Sequence, residues 1–92
     1  PFADLSAVQL KEIEEADPAL LYPYYVREVN RLIRERNRTA YKEAIKLLKR
    51  GRATYAKADQ EADWERFVDR LSAKHNRLRA FQEELRRGNL NL

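Results

Sequence analysis

The sequence predicts an all-α fold: a small antiparallel bundle of three main helices with a short N-terminal helix. Three observations carry this expectation. Apolar residues recur along most of the chain at the three- and four-residue spacing that lines one helix face. Charged residues make up 37% of the chain, which suits long helices with solvated outer faces. Two glycines and three prolines are too few turn-formers for a protein of many short strands. Ninety-two residues bound the chain to a single domain, 1–92, because domains typically run to about 100–150 residues.

Ser6 followed by Gln9 is a capping-box pattern and opens a first helix over about 6–16, with Leu5, Val8 and Ile13 as its apolar edge. Asp17-Pro18 then offers an N-cap and a proline at the first helical position, predicting one short turn over Pro18–Leu21. Pro23 fits the first turn of a second helix, about 23–36, whose stripe is Tyr25, Val26, Val29, Leu32 and Ile33. Asn37, Arg38 and Thr39 interrupt that stripe. Thr39 is the expected cap of a third helix, about 39–57, lined by Tyr41, Ala44, Ile45, Leu48 and Tyr55. Gly51 and Ala53 are small enough to admit a neighbouring helix, although glycine inside a helix costs about 1 kcal/mol relative to alanine. A fourth helix, about 60–87, starts at Asp59 or Asp63 and buries Trp64, Phe67, Val68, Leu71, Leu78, Phe81 and Leu85. Arg86 and Arg87 match its dipole, with Gly88 as its left-handed cap. Continuous from Trp64 to Arg87, it would span about 35 Å. Such a helix, joined by short loops to two partners, predicts an antiparallel bundle or an α-α repeat stack.

Composition removes several functions. Without cysteine there is no disulfide, thiolate zinc site, iron–sulfur cluster or cysteine nucleophile. No apolar run approaches the roughly 18 residues of a membrane span, and the N-terminus lacks a signal-peptide layout, so a cytoplasmic protein without a membrane partner is expected. The absence of methionine reads Pro1 as an internal residue, so the chain is expected to be a fragment or processed piece of something longer. His75, the only histidine, lies four residues after Leu71 and three before Leu78, which places it at the margin of the apolar stripe. A metal site needs three or four converging ligands, and Asp69 and Ser72 complete a poor set, so no metal or other cofactor is expected. Neither Ser6 nor Ser72 sits on a strained strand-to-helix turn beside a glycine-rich segment. The pairs Glu14-Glu15 and Glu83-Glu84 point about 100° apart on a helix and do not converge on one substrate. No phosphate-cradling glycine loop is present. The expected protein is therefore not an enzyme.

Charge is distributed unevenly. Residues 1–22 carry a net −4, residues 23–58 a net +8, and residues 59–92 balance. This pattern can steer an anionic partner, or the acidic head can lie over the basic middle. Arg27, Arg31, Arg34 and Arg38 form a cationic line at helical spacing, and Arg66, Arg70, Lys74 and Arg77 form a second. Lys42, Lys46 and Lys49 mark the helix between them. Facing one way, these lines would neutralise several phosphates. The competing view is a solvated surface, with Arg66, Arg70 and Lys74 offset by Asp63, Glu65 and Asp69. No helix-turn-helix spacing or aromatic RNA-binding strand accompanies them. Tyr22, Tyr24 and Tyr25 crowd Pro23 and cannot all face one core, which makes Tyr22 and Tyr24 candidate partner contacts.

Two resemblances add to this reading. Tyr41-Lys42-Glu43-Ala44-Ile45 followed by Leu48 resembles the second helix of a tetratricopeptide repeat. Residues 17–89 are similar to the α-helical C-terminal region of prokaryotic SWIM zinc-finger proteins. The likeness lies in Asp17-Pro18 with Pro23, the Tyr-x-x-Ala third helix, and His75, Arg79 and Leu85 in the closing helix. The resemblance implies tetratricopeptide-like α-α hairpin packing in a C-terminal accessory domain of a larger, nucleic-acid-associated protein. It brings no zinc site, because the cysteines that bind zinc in that family have no counterpart here. The expected function is a non-enzymatic protein-interaction domain, whose partner is another protein or the remainder of its own chain. The rival is a basic nucleic-acid-binding domain, and homo-oligomerisation is third.

Overall fold

A computed structural model describes residues 6–90, the Pro18 side chain excepted. Its order is α1 (Ala7–Ala16), a 3-10 turn (Pro18–Leu21), α2 (Tyr22–Arg34), α3 (Arg38–Lys57), α4 (Glu61–Lys74) and α5 (Arg79–Arg87), with no strand among the described residues. The all-α expectation holds. α3 is the hub and packs against α2, α4 and α5. The radius of gyration is 12.8 Å, close to the roughly 12 Å of a well-packed chain this long.

Local chemistry sets most boundaries. The Ser6 hydroxyl accepts from the Gln9 amide at 3.2 Å and the Gln9 side chain accepts from the Ser6 amide at 3.0 Å, completing the capping box of α1. On α1 the buried residue is Leu10, whereas Val8 is 67% exposed and Leu5 lies outside the described residues. Pro18–Leu21 forms the short turn and runs directly into α2, but the Asp17 side chain makes no capping bond. The cap of α3 is Asn37 rather than Thr39. Asn37 is extended (φ −141°, ψ 157°) and its side-chain oxygen accepts from the Ala40 amide at 2.8 Å, which draws Arg38 and Thr39 into the helix.

The expected fourth helix is two helices. α4 stops at Lys74, His75 is its C-cap, and α5 restarts at Arg79. Gln82 sustains the break: its amide nitrogen donates to the carbonyls of Ser72 and His75, both at 3.1 Å, while its oxygen accepts from the Ser72 hydroxyl at 3.2 Å. Those bonds satisfy carbonyls that a continuing helix would have used. The 14 residues of α4 thus span about 21 Å instead of about 35 Å. α5 turns to pack on α3, with Phe81 edge-on to Tyr41 at 5.7 Å.

Neither Asp59 nor Asp63 caps α4, since Gln60 holds that position. Asp59 (φ 59°) is instead the left-handed residue closing α3, with bonds from its own amide to Ala56 and from the Gln60 amide to Tyr55. Gly88 is not left-handed; Asn89 (φ 57°) is. Glycine at 88 answers a different need, because a Cβ there would lie 2.8 Å from Ile45.

The core forms where the stripes meet. Trp64 is fully buried, with Tyr25, Tyr55 and Phe67 ring centroids at 5.2, 5.0 and 5.1 Å. Its indole nitrogen donates to the Leu48 carbonyl at 3.0 Å. Gly51 permits this approach, since a Cβ there would stand 2.2 Å from the indole ring; Ala53 is exposed and has no such role. Gly51→Ala is therefore expected to destabilise the fold by about 1–3 kcal/mol, overriding the roughly 1 kcal/mol of helix propensity that alanine gains. Urea unfolding followed by far-UV circular dichroism measures this, and an unchanged or raised midpoint would contradict the packing described.

Candidate functional site

The cations singled out in the sequence do not form one ridge. Arg31 pairs with Glu28 of α2 at 3.3 Å and with Glu35, the C-cap of that helix, at 3.6 Å. Arg38 crosses to α5, binding Glu83 at 3.0 Å and the buried Glu84 at 2.8 Å, and Arg87 adds a second contact to Glu84 at 3.2 Å. The Arg38 guanidinium holds the Glu83 carboxyl below its ordinary range. Lys46 pairs with Glu43 and Arg66 with Asp63. Arg70 donates to the Tyr22 hydroxyl at 3.2 Å. Lys42 and Lys49 stand exposed on α3, the stem of Lys49 lying beside Gly88.

Of the remaining cations, Arg27, Arg34, Lys74 and Arg77 converge. Arg27, Asn30 and Arg34 lie at i, i+3 and i+7 on α2, and with Lys74 and His75 from the end of α4 they line a cleft of about 450 Å³. An adjoining cleft of about 400 Å³ shares Lys74 and His75 and adds Arg36, Asn76, Arg77 and Leu78. No acid lines either cleft. Among the described residues, Arg27, Arg34, Arg36, Lys74 and Arg77 make no ion pair. Arg34 and Lys74 sit in the last turns of their helices, where the dipole favours cations.

Two local features mark the cleft. Arg36 (φ 53°) holds the left-handed position that ends α2, where glycine or asparagine is usual. Its charge, absent from the set read in the sequence, is brought to Lys74 by that reversal. His75 is half-buried, its ring edge-on to Phe81 at 6.0 Å, and its Nε2 is buried without a hydrogen-bond partner. Burial, then the charges of Lys74 and Arg36, push the imidazole below its usual 6.5, so it is neutral at pH 7.

Other concavities lack this one-signed character. One of about 230 Å³, beside Trp64 and Leu90, opposes Arg52 to Glu65 and Asp69. Another of about 520 Å³, between α1 and α3, contains the Glu14–Arg50 pair at 2.6 Å, which with the Thr54–Glu14 bond fastens the acidic head onto the basic middle. The two candidate tyrosines face inward more than expected. Tyr22 is half-buried and edge-on to Phe67 at 5.4 Å, and Tyr24 is half-buried and edge-on to Tyr25 at 5.6 Å. Ser72 is engaged by Gln82 and Ser6 caps α1. Among the described residues, no three His, Cys, Asp or Glu side chains are placed to hold a metal, and no helix is long and apolar enough to cross a membrane.

Fold and site together define a small all-α domain with an acid-free cationic cleft between two helices and a turn. Its sequence is 46% identical over 87 residues to the Uncharacterized protein YwqB of Bacillus subtilis (strain 168), an overlap that takes in 95% of this chain and 16% of that protein. The chain thus spans about one sixth of the length of the curated relative it matches. No family model matches the sequence, and no solved structure matches it.

Two outcomes test the local description. Because the folded state disfavours the imidazolium, the unfolded chain binds more protons once the pH falls below about 6.5. His75 thus contributes stability that is fully present above that pH and is lost as the pH drops through its lowered folded value. Comparing urea midpoints of wild type and His75→Gln from pH 7.5 downward checks this, and identical pH slopes would refute it. Arg36→Gly is expected to stabilise the fold by about 0.5–1 kcal/mol, relief of left-handed strain outweighing the added chain entropy of glycine. A lowered urea midpoint would show that arginine is unstrained there.

Proposed function

We propose that this chain is a non-enzymatic interaction domain of a longer protein and that its partner is polyanionic. The observation that supports this reading is the pair of joined clefts in which five cations face solvent without a carboxylate among them. Elsewhere on the described surface Arg31, Arg38, Lys46, Arg50 and Arg66 are neutralised by nearby acids. Leaving like charges together is unfavourable in the absence of a ligand, and an anion brought between them relieves the repulsion. Ser6, Ser72 and Glu14 are held in structural bonds, which favours a binding role over a chemical one.

Heparin serves as a generic polyanion probe. The chain is expected to bind it with an affinity that falls as salt rises, and Arg34→Ala with Lys74→Ala weakens binding while Lys46→Ala does not. Binding also tightens as the pH falls toward the lowered folded value of His75, because an anion in the cleft favours its charged form, and His75→Gln flattens that dependence. No binding at low salt would dismiss the reading.

A second reading, docking onto a protein, is favoured by the exposure of Val8 (67%) and Leu20 (55%). Homo-oligomerisation is the variant in which that protein is a second copy. Light scattering tests it, since a mass staying near 10.9 kDa at high concentration excludes it. Membership in the SWIM zinc-finger family, with its tetratricopeptide-like packing, belongs to the same proposal. A Cys-x-Cys…Cys-x-His motif upstream in the parent reading frame is its test.

A further inference from the structure

The cationic surface does not end at the α4–α5 turn. A third cleft of about 390 Å³ meets the second at Asn76 and continues along the outer face of α5 through Arg79, Gln82, Glu83 and Arg86. Its carboxylate, Glu83, is drawn to Arg38 at 3.0 Å, and among the described residues Arg79 and Arg86 make no ion pair. Three open clefts in a row suit a ligand that repeats its charge at intervals, not one compact anion.

The side chains narrow the ligand further. Arginine outnumbers lysine along the band, and its planar fork matches phosphate oxygens in pairs. No Phe, Tyr or Trp lines any of the three clefts, and His75 is packed edge-on against Phe81. Proteins that hold single strands rely on aromatic platforms for unstacked bases, and this surface has none. A duplex keeps its bases stacked inside and offers such a face its sugar–phosphate backbone, so no aromatic platform is needed.

We infer that the partner is double-stranded nucleic acid, held along one sugar–phosphate backbone by a band from α2 over the α4–α5 turn to the outer face of α5, without reading bases. This rests on the polyanion reading of the cleft. Acidic protein segments are the competing occupant, and single strands the competing form.

Fluorescence anisotropy of a labelled duplex of about 20 base pairs, its separated strands, and polyglutamate as competitor decides among them, with heparin as reference. The duplex is expected to bind more tightly than either strand, with equal affinity for unrelated sequences. Log affinity falls linearly with log salt, by about 0.9 per phosphate contacted. Arg79→Ala with Arg86→Ala lowers that slope by about two, while Lys46→Ala with Arg66→Ala leaves it unchanged, all variants being matched for urea midpoint. Tighter binding of a single strand, equal competition by polyglutamate, or an unaltered slope in the α5 variant overturns the inference while heparin binding leaves the polyanion reading standing. Absence of both heparin and duplex binding overturns both together.

Discussion

The contact between Trp64 of α4 and the Gly51 turn of α3 is the constraint on which the other elements depend. Gly51 removes the one side chain that would hold the helices apart, and the indole fills the gap, edge-on to Tyr25 of α2. The bond from the indole nitrogen to the Leu48 carbonyl then fixes its depth, so that burial of the largest side chain leaves no donor unsatisfied. Full burial of such a ring contributes roughly 5 kcal/mol by area, a large share of the stability open to a domain this small. α2 and α4 are thereby placed side by side on α3, and the groove between their outer edges is where Arg27, Arg34 and Lys74 come together.

Much of this was legible in the sequence, and its failures have a common physical origin. The capping box at Ser6, the turn opened by Pro18 and the stripes of α2 and α3 are local signals, set by residues three or four apart. The break between α4 and α5 is not local. Leu71, Leu78 and Leu85 stand seven apart, and no glycine or proline interrupts them, so the pattern reads as one helix. The break is held by Gln82 bonding back to Ser72 and His75 and by Phe81 docking on Tyr41 of a different helix. Gly88 teaches the same lesson in reverse, because its place after Arg87 suggests a left-handed cap while Ile45 across the interface is what requires it.

The site divides along the same line. Helical spacing identified eleven cationic positions and could not tell structural from uncommitted ones, because that depends on acids brought in by the fold. Arg38 is taken by Glu83 and Glu84 from a helix more than forty residues away, and Arg31 by acids one turn to either side. Arg36 was absent from the cationic lines because it sits in a turn, and Arg79 and Arg86 were read only as parts of the closing helix, since the break before α5 is what brings them to the band. A signal for Arg36 was present: Arg36-Asn37 follows the last apolar residue of α2, where a chain reversal is due, and a charge at a reversal is carried to the rim of whatever lies beside it.

Consistency between local preference and global fold is the normal condition of a stable protein, so places where it fails are informative. In this domain two such failures fall together. The left-handed positions at 59 and 89 are filled by Asp and Asn, which tolerate them, but the one at 36 is filled by arginine. A few residues from it in space, His75 leaves a buried ring nitrogen without a partner beside two cations that oppose its protonation. Asparagine at 36 and an apolar residue at 75 would serve the fold at least as well. Both departures place nitrogen-bearing side chains at the cleft that Arg36 shares with Lys74, where the proposed anion would offset their charge. An anion at that junction would offset the unpaired charge, and the left-handed backbone at Arg36 is the cost of carrying its guanidinium there.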